Sequence, residues 1–185
     1  NAGYKGKISY DIFNACEYGN VPQNRERVYI VAFRDKEDYK KFKMPDPIPL
    51  TIGIKDIFNF KTKVPDKYYY TKDKYSINMY NMLINEMDDT STVYQWRRKY
   101  VRKNKNNLVP TLTANMGSGG HNVPLIKTKY GIRKLNPLEC FYAQGYPKNY
   151  KLPPNMSDGR LYKQAGNSVV VPVVYKSSIP YHRSY

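Results

Sequence analysis

The sequence predicts an α/β protein: the closing part of a sheet-based domain joined to a small, mixed, β-rich lobe. Three observations carry that reading. Val28 to Phe33 is an unbroken apolar run rich in β-branched and aromatic residues, the pattern of a strand covered on both faces. Pro45, Pro47 and Pro49 then break the chain, and the stretch beyond them mixes tyrosines with cations. Asn136-Pro137-Leu138-Glu139 opens a helix by its capping signals, returning the chain to an ordinary apolar-faced element.

In chain order, Lys7 to Ala15 alternates Ile8, Tyr10 and Ile12 with polar neighbours and reads as a strand. Gly19-Asn20-Val21-Pro22 supplies turn signals before the Val28 strand. About ten residues join the two, too few for a crossover helix, so the pair is expected to be antiparallel. In open α/β sheets ligands gather at the carboxyl ends of the parallel strands, and an antiparallel strand puts its amino end on that same edge. Gln23, Arg25 and Arg27 sit two apart just there, so an extended chain aims them to one side and Asn24 and Glu26 to the other. Guanidinium forks suit a phosphate or a base carbonyl. The plain alternative is a charged strand end in solvent, with Glu26 as partner. Cys16, in the connection, reads as a packing residue.

Asp35 to Lys43 is charged and reads as a surface helix, and the prolines that follow mark a domain boundary. We expect residues 1–43 to end one domain, 44–132 to form the lobe, and 133–185 to return. Within the lobe, Ser76 to Met87 reads as a helix and Tyr94 to Arg102 as a strand or irregular ribbon. Trp96, Arg97, Arg98, Lys99, Tyr100, Arg102, Lys103 and Lys105 interleave rings with cations, which offers phosphate contacts and stacking surfaces; a poorly cored lobe that buries its tyrosines is the alternative. Thr111-Leu112-Thr113 and Val123 to Ile126 read as strands around a loop, Gly117-Ser118-Gly119-Gly120. That loop lacks the lysine of a phosphate-binding loop and reads as a tight turn or a point of close backbone approach. His121 has no metal-spaced companion.

In the last third, Asn136 is placed as N-cap, Pro137 at the first helical position, Glu139 at the capping-box position and Gly145-Tyr146-Pro147 as the stop. Leu138, Phe141 and Tyr142 share a docking face. Gln164-Ala165-Gly166-Asn167-Ser168 reads as a polar turn before an apolar element, with backbone N–H groups, the Asn167 amide and the Ser168 hydroxyl available to a carboxylate or an adenosyl edge. The alternative is a simple capping turn.

Composition narrows the partner. In 185 residues, 31 Lys and Arg oppose 15 Asp and Glu, a net charge of +16, which favours a polyanion, nucleic acid first and an anionic membrane surface second. No run of about 18 apolar residues and no secretory leader core is present, so the expected setting is intracellular. Two unpaired cysteines exclude a disulfide framework and a zinc site.

Four segments, in this order, resemble one family, the DNA (cytosine-5) methyltransferases. Pro22 to Ile30 is similar to their eighth motif, Thr111-Leu112 with its glycine-rich loop to the Thr-Leu signature of the target-recognition domain, Arg133 to Pro147 to the ninth motif, and Gln164 to Val174 to the tenth. The resemblance covers most of the chain apart from residues 36–105 and the last ten. It implies the C-terminal part of a Rossmann-like S-adenosylmethionine-dependent methyltransferase sheet plus a small target-recognition domain. The family's glycine-rich cofactor loop, its Pro-Cys nucleophile motif and its Glu-Asn-Val motif are not in this sequence, and neither Cys16 nor Cys140 stands in the nucleophile's context.

The resemblance therefore implies an enzyme part that is inactive alone, whether from a split enzyme, a truncated gene or a cut. Its partners would be double-stranded DNA and an N-terminal half, and its setting a bacterial cytoplasm, at the nucleoid. By the same resemblance Arg27 grips a flipped cytosine at O2, Arg25 holds a flanking phosphate or positions Arg27, and Gln23 orients the loop. Gly166, Asn167 and Ser168 complete a cofactor pocket held mainly by the other half. Thr111, Leu112, Gly117, Ser118, Gly119 and Gly120 touch DNA; Arg97 and Arg98 are expected to do so on the separate ground of the interleaved rings and cations. The tail from Tyr175 departs from the amphipathic closing helix the family leads one to expect. The competing reading is a freestanding nucleic-acid-binding module with no catalytic role.

Overall fold

The computed structural model describes residues 4, 6–118 and 123–182. Strands β1 (Ile8–Asn14) and β2 (Glu26–Ala32) pair antiparallel, with Tyr10 opposite Ile30 and Ile12 opposite Val28. The short connection, which contains helix α1 (Ala15–Tyr18), enforces that direction as the sequence indicated. The cover on both faces is a correction. Ile8, Tyr10, Ile12, Val28 and Ile30 share one face of the ribbon and are 46–75% exposed. Only the other face is packed, where Phe13 meets Tyr18 and Tyr29 and joins Ala15, Val21, Val170 and Val173.

Helix α2 (Lys36–Lys41) starts where Asp35 accepts the amide hydrogens of Glu37 and Asp38. The proline-rich segment after it runs extended and is pinned by Asn20. That amide accepts from the backbone N–H groups of Thr51 and Ile52 and donates to the Thr51 hydroxyl. A short helix, α3 (Ile54–Ile57), buries both of its isoleucines.

The lobe holds helix α4 (Ile77–Glu86), capped by Ser76, and a four-stranded antiparallel sheet. The sheet comprises β3 (Tyr94–Trp96), β4 (Val101–Lys103), β5 (Leu125–Thr128) and β6 (Gly131–Lys134), in the order β4-β3-β5-β6. The Tyr94 to Arg102 ribbon is thus a hairpin, turned by residues 97–100 with Arg98 left-handed at φ 61°. Thr111 to Thr113 is extended but joins no sheet; its neighbour Val109 makes a parallel bridge to Gln23. One apolar core runs from Ile54 through Val109, Leu112 and Met116 to Phe141 and Tyr162, and a smaller one under α4 gathers Tyr70, Met79, Leu83 and Tyr94. The first core draws on both the lobe and the returning segment, and β6 straddles position 132, where the sequence reading divides them.

Helix α5 (Pro137–Tyr142) has the capping box read from sequence: Asn136 accepts from the Glu139 N–H, and Glu139 accepts from the Asn136 N–H. Gly145 closes it at φ 79°. Gln164 to Asn167 is not an opening turn but the end of helix α6 (Asp158–Asn167), and α7 (Val171–His182) follows. The tail from Tyr175 is helical through His182, as the last part of α7. None of the helices among the described residues is long and apolar enough to cross a membrane.

Candidate functional site

Alternation along β2 puts Arg25, Arg27 and Tyr29 on one side, close enough for the charge of each arginine to lower the Tyr29 pKa that burial raises. The two guanidiniums nevertheless meet different surroundings. Arg25 is buried, and its fork donates to three backbone carbonyls: Nη1 to Leu112 at 2.7 Å, Nη2 to Gly166 at 3.2 Å and to Ser168 at 2.9 Å. Desolvation first, then the neighbouring Arg27 charge, pulls its pKa down to about 10, which still leaves it ionised at neutral pH. Arg25 is thus turned onto the protein's own backbone; it ties the eighth-motif strand to the Thr-Leu segment and to the end of α6. Arg27 is exposed and, among the described residues, bonded only to its neighbour's carbonyl, Glu26 O, at 2.6 Å.

Gln23 is fully buried and does similar work from the other side. Its amide donates to Ala143 O and to Gln144 Oε1, and accepts from the Leu112 N–H at 3.4 Å. Gln144 in turn donates to Ala165 O at 2.8 Å. Three motif-bearing stretches, far apart in sequence, are held by two side chains of one strand end.

The tenth-motif residues are placed differently from their sequence reading. Gly166 and Asn167 end a helix, so carbonyls rather than N–H groups face outward there, and Arg25 takes two of them. Gly166 is required by space: a Cβ on it would sit 2.1 Å from the Thr113 carbonyl oxygen. The Ser168 hydroxyl lies 2.9 Å from the Tyr146 hydroxyl. The Asn167 side chain is exposed, with no hydrogen-bond partner among the described residues. For an adenosyl group these residues offer one free amide and one hydroxyl at an open edge, a fit to the margin of a cofactor site rather than to a whole pocket.

Of the residues expected at DNA, Leu112 is 1% exposed and belongs to the core, so its side chain supports the segment instead of touching a ligand. Thr111 donates to Asn24 O at 2.7 Å. Gly117 has φ 83° and lies against Tyr162, whose ring a Cβ would reach at 2.6 Å, so close packing explains that glycine. Ser118 is exposed, and Gly119, Gly120 and His121 lie outside the described residues. Arg97 lines a cleft of about 640 Å³, while Arg98 sits on the exposed hairpin turn.

That cleft lies between the strand end and the lobe. The strand end and the Thr-Leu segment contribute Asn24, Thr111, Thr113 and Asn115; the hairpin and the turn after it contribute Gln95, Arg97, Arg102, Asn104, Lys105 and Asn106. No carboxylate lines it among the described residues. Its amides were missed by a reading that looked for cations. The available signal was the polar run Asn104 to Asn107, where Asn106 and Asn107 take left-handed conformations that asparagine tolerates. Neither thiol is primed as a nucleophile: burial first, then Glu17, raises Cys16, and burial raises Cys140 well above its ordinary value.

Comparison with known proteins shows the family. The family model for C-5 cytosine-specific DNA methylase matches residues 1–178. The chain is 60% identical over 167 residues to the type II methyltransferase M.Bsp6I of Bacillus sp. (strain RFL6), covering 90% of this chain and 52% of that protein. It is 34% identical over 176 residues to M.HhaI of Haemophilus parahaemolyticus, covering 88% and 49%. Among solved structures, the Entamoeba histolytica methyltransferase EhMeth superposes with a TM-score of 0.61 at 15% identity, over 98% of this chain and 56% of that one. The S. pombe Dnmt2 methyltransferase gives 0.61 at 14% identity, over 96% and 58%. The chain spans about half the length of the curated relatives it matches, and its α/β fold with antiparallel sheets is that of part of a methyltransferase. From the match across residues 1–178, this chain belongs to the C-5 cytosine-specific DNA methylase family.

Proposed function

We propose that the chain is the C-terminal, base-gripping and duplex-reading part of a DNA cytosine-5 methyltransferase. The observation that carries this is the Arg25 knot: one buried fork fastens three motif segments and leaves Arg27, two residues on, exposed at the surface. A cytosine cannot react inside the duplex and is rotated out. Arg27 then donates to its O2, where negative charge must be held while C5 becomes nucleophilic. Arg25 and Gln23 are positioning residues for that strand end. The nucleophilic thiolate and the acid come from an N-terminal part, since neither cysteine here fits. S-adenosylmethionine supplies the transferred methyl group, and Asn167 and Ser168 border its site.

The exposed apolar face of β1 and β2 supports the need for a second part. Five large apolar side chains facing solvent on one two-stranded ribbon are a surface that another sheet element covers. The chain alone is therefore inactive, and it works beside double-stranded DNA in a bacterial cytoplasm.

The test mixes the chain with the N-terminal half of the 60%-identical relative, labelled S-adenosylmethionine and duplex DNA. Cytosine labelling should need both parts and should drop at least about 100-fold with Arg27→Ala, as loss of a preorganised charge-assisted donor does. Labelling that survives Arg27→Ala unchanged removes that residue from the site. Tight duplex binding without any partner, with no association between the halves, would instead favour a freestanding binding module.

A further inference from the structure

The cleft-facing side of the β3–β4 hairpin is better equipped than any other described surface to read bases. Gln95 and Arg102 are directly opposed across the hairpin, so their side chains leave the same face, and Arg97 follows Gln95 by two. All three line the cleft. The opposite face is fixed: Tyr94 is fully buried, and Trp96 and Val101 pack on the core under α4. The back is also tied by polar bonds. Tyr94 donates to Asp88 at 2.8 Å, and the Val101 N–H donates to Glu86 at 2.8 Å. Lys103 pairs with Asp88 and Asp89. The hairpin is a rigid ribbon with its polar side outward, and a two-stranded ribbon fits the width of a major groove.

The chemistry of that side selects what it recognises. The mostly buried Asn104 donates its NH2 group to Leu108 O, and Thr113 donates its hydroxyl to Asn115, so these brace the wall. The Gln95 carbonyl oxygen accepts from Arg97 at 3.4 Å, which leaves its NH2 group outward. Arg102 is exposed and has no partner among the described residues. The face thus presents donors. A cytosine edge in the major groove offers an amino donor and needs an acceptor such as a carboxylate; none lines this cleft among the described residues. A guanine edge offers two acceptors, O6 and N7, which a guanidinium fork meets with two bonds.

We infer that Arg102, opposed by Gln95 on the β3–β4 hairpin, is a specificity-determining residue that reads a guanine edge in the major groove. Lys105, beside it in the cleft, contacts phosphate. The inference rests on the proposed reading that the chain engages duplex DNA. Its readout is binding, so it stands or falls separately from methyl transfer.

The experiment presents duplexes with a randomised centre to the chain, alone and with the N-terminal half, and sequences the bound fraction. The wild-type chain should enrich sequences with a fixed guanine. Arg102→Ala and Arg102→Lys should relax that position roughly 10- to 100-fold while leaving other positions selected. Lys105→Ala should weaken all sequences alike. Replacing the fixed guanine by 7-deazaguanine, which lacks N7, should weaken the wild-type chain and leave Arg102→Ala unaffected. Three results overturn the inference: no enriched guanine, unchanged selection by Arg102→Ala, or an equal 7-deazaguanine penalty in both proteins. Enrichment without cytosine labelling would sink the methyl-transfer reading and leave this one standing.

Discussion

Truncating Arg25 to alanine strips donors from three carbonyls that the fold encloses, those of Leu112, Gly166 and Ser168. Each buried acceptor left unmade carries a penalty, so Arg25→Ala should lower unfolding free energy by about 2–4 kcal/mol, read from urea titration. Arg25→Lys should recover little of it, because one ammonium cannot span three acceptors as a fork does. Arg27→Ala, on an exposed side chain, should move stability by no more than about 0.5 kcal/mol while removing activity from the assembled enzyme. That pairing of outcomes separates a fastening arginine from a gripping one. Gly166→Ala is a sharper probe, since the added Cβ would stand 2.1 Å from backbone oxygen rather than from a side chain that can swing away. A thermal melt should show a loss of about 3 kcal/mol or more, and a wild-type melting temperature would mean that α6 does not sit this close to Thr113.

At the scale of elements, α5 is held by a buried pair as well as by its cap. Glu139 accepts both Arg133 Nη groups at 2.7 Å, and also the N–H groups of Asn59 and Asn136. Asn136→Ala should cost about 1 kcal/mol, the usual worth of an N-cap. Glu139→Ala should cost about 3–5 kcal/mol, because it strands a guanidinium with no exposed surface. Comparable losses for the two, measured by the same denaturant titration, would show that the cap alone matters. The β1–β2 ribbon invites the opposite experiment. Ile30→Lys changes a residue 68% exposed, so the isolated chain should keep its stability within about 0.5 kcal/mol and become less prone to aggregate. Activity with the N-terminal half should vanish if that face is where the second part docks. Full activity with the charged ribbon would place the junction elsewhere.

For the whole molecule, the surplus of 16 positive charges makes affinity for duplex DNA steep in salt, and three of the cations line the cleft. Neutralising Arg97 and Lys105 together should flatten the slope of log K against log salt by roughly 2, about 0.9 for each phosphate no longer neutralised; an unchanged slope would put the DNA on another surface. Much of the fold was legible in advance because it is set locally. Alternation in Ile8 to Ile12, the short link to β2, the helices that start at Asp35 and Ser76, the Asn136 cap and the Gly145 stop are each decided by residues a few positions apart. The order of four motifs likewise pointed to the family that the match over residues 1–178 shows. What escaped was whatever depends on distant partners. The sequence alone determined the paired β1 and β2, the helices after Asp35, Ser76 and Asn136, which charges cluster and which family the chain resembles. Only the tertiary structure decided that Arg25 turns inward while Arg27 stays out, that Gly166 is there for closeness, and that amides share the cleft with the cations. The physical reason is that a guanidinium is buried only where acceptors already wait for it, and those for Arg25 lie 87 to 143 residues away along the chain.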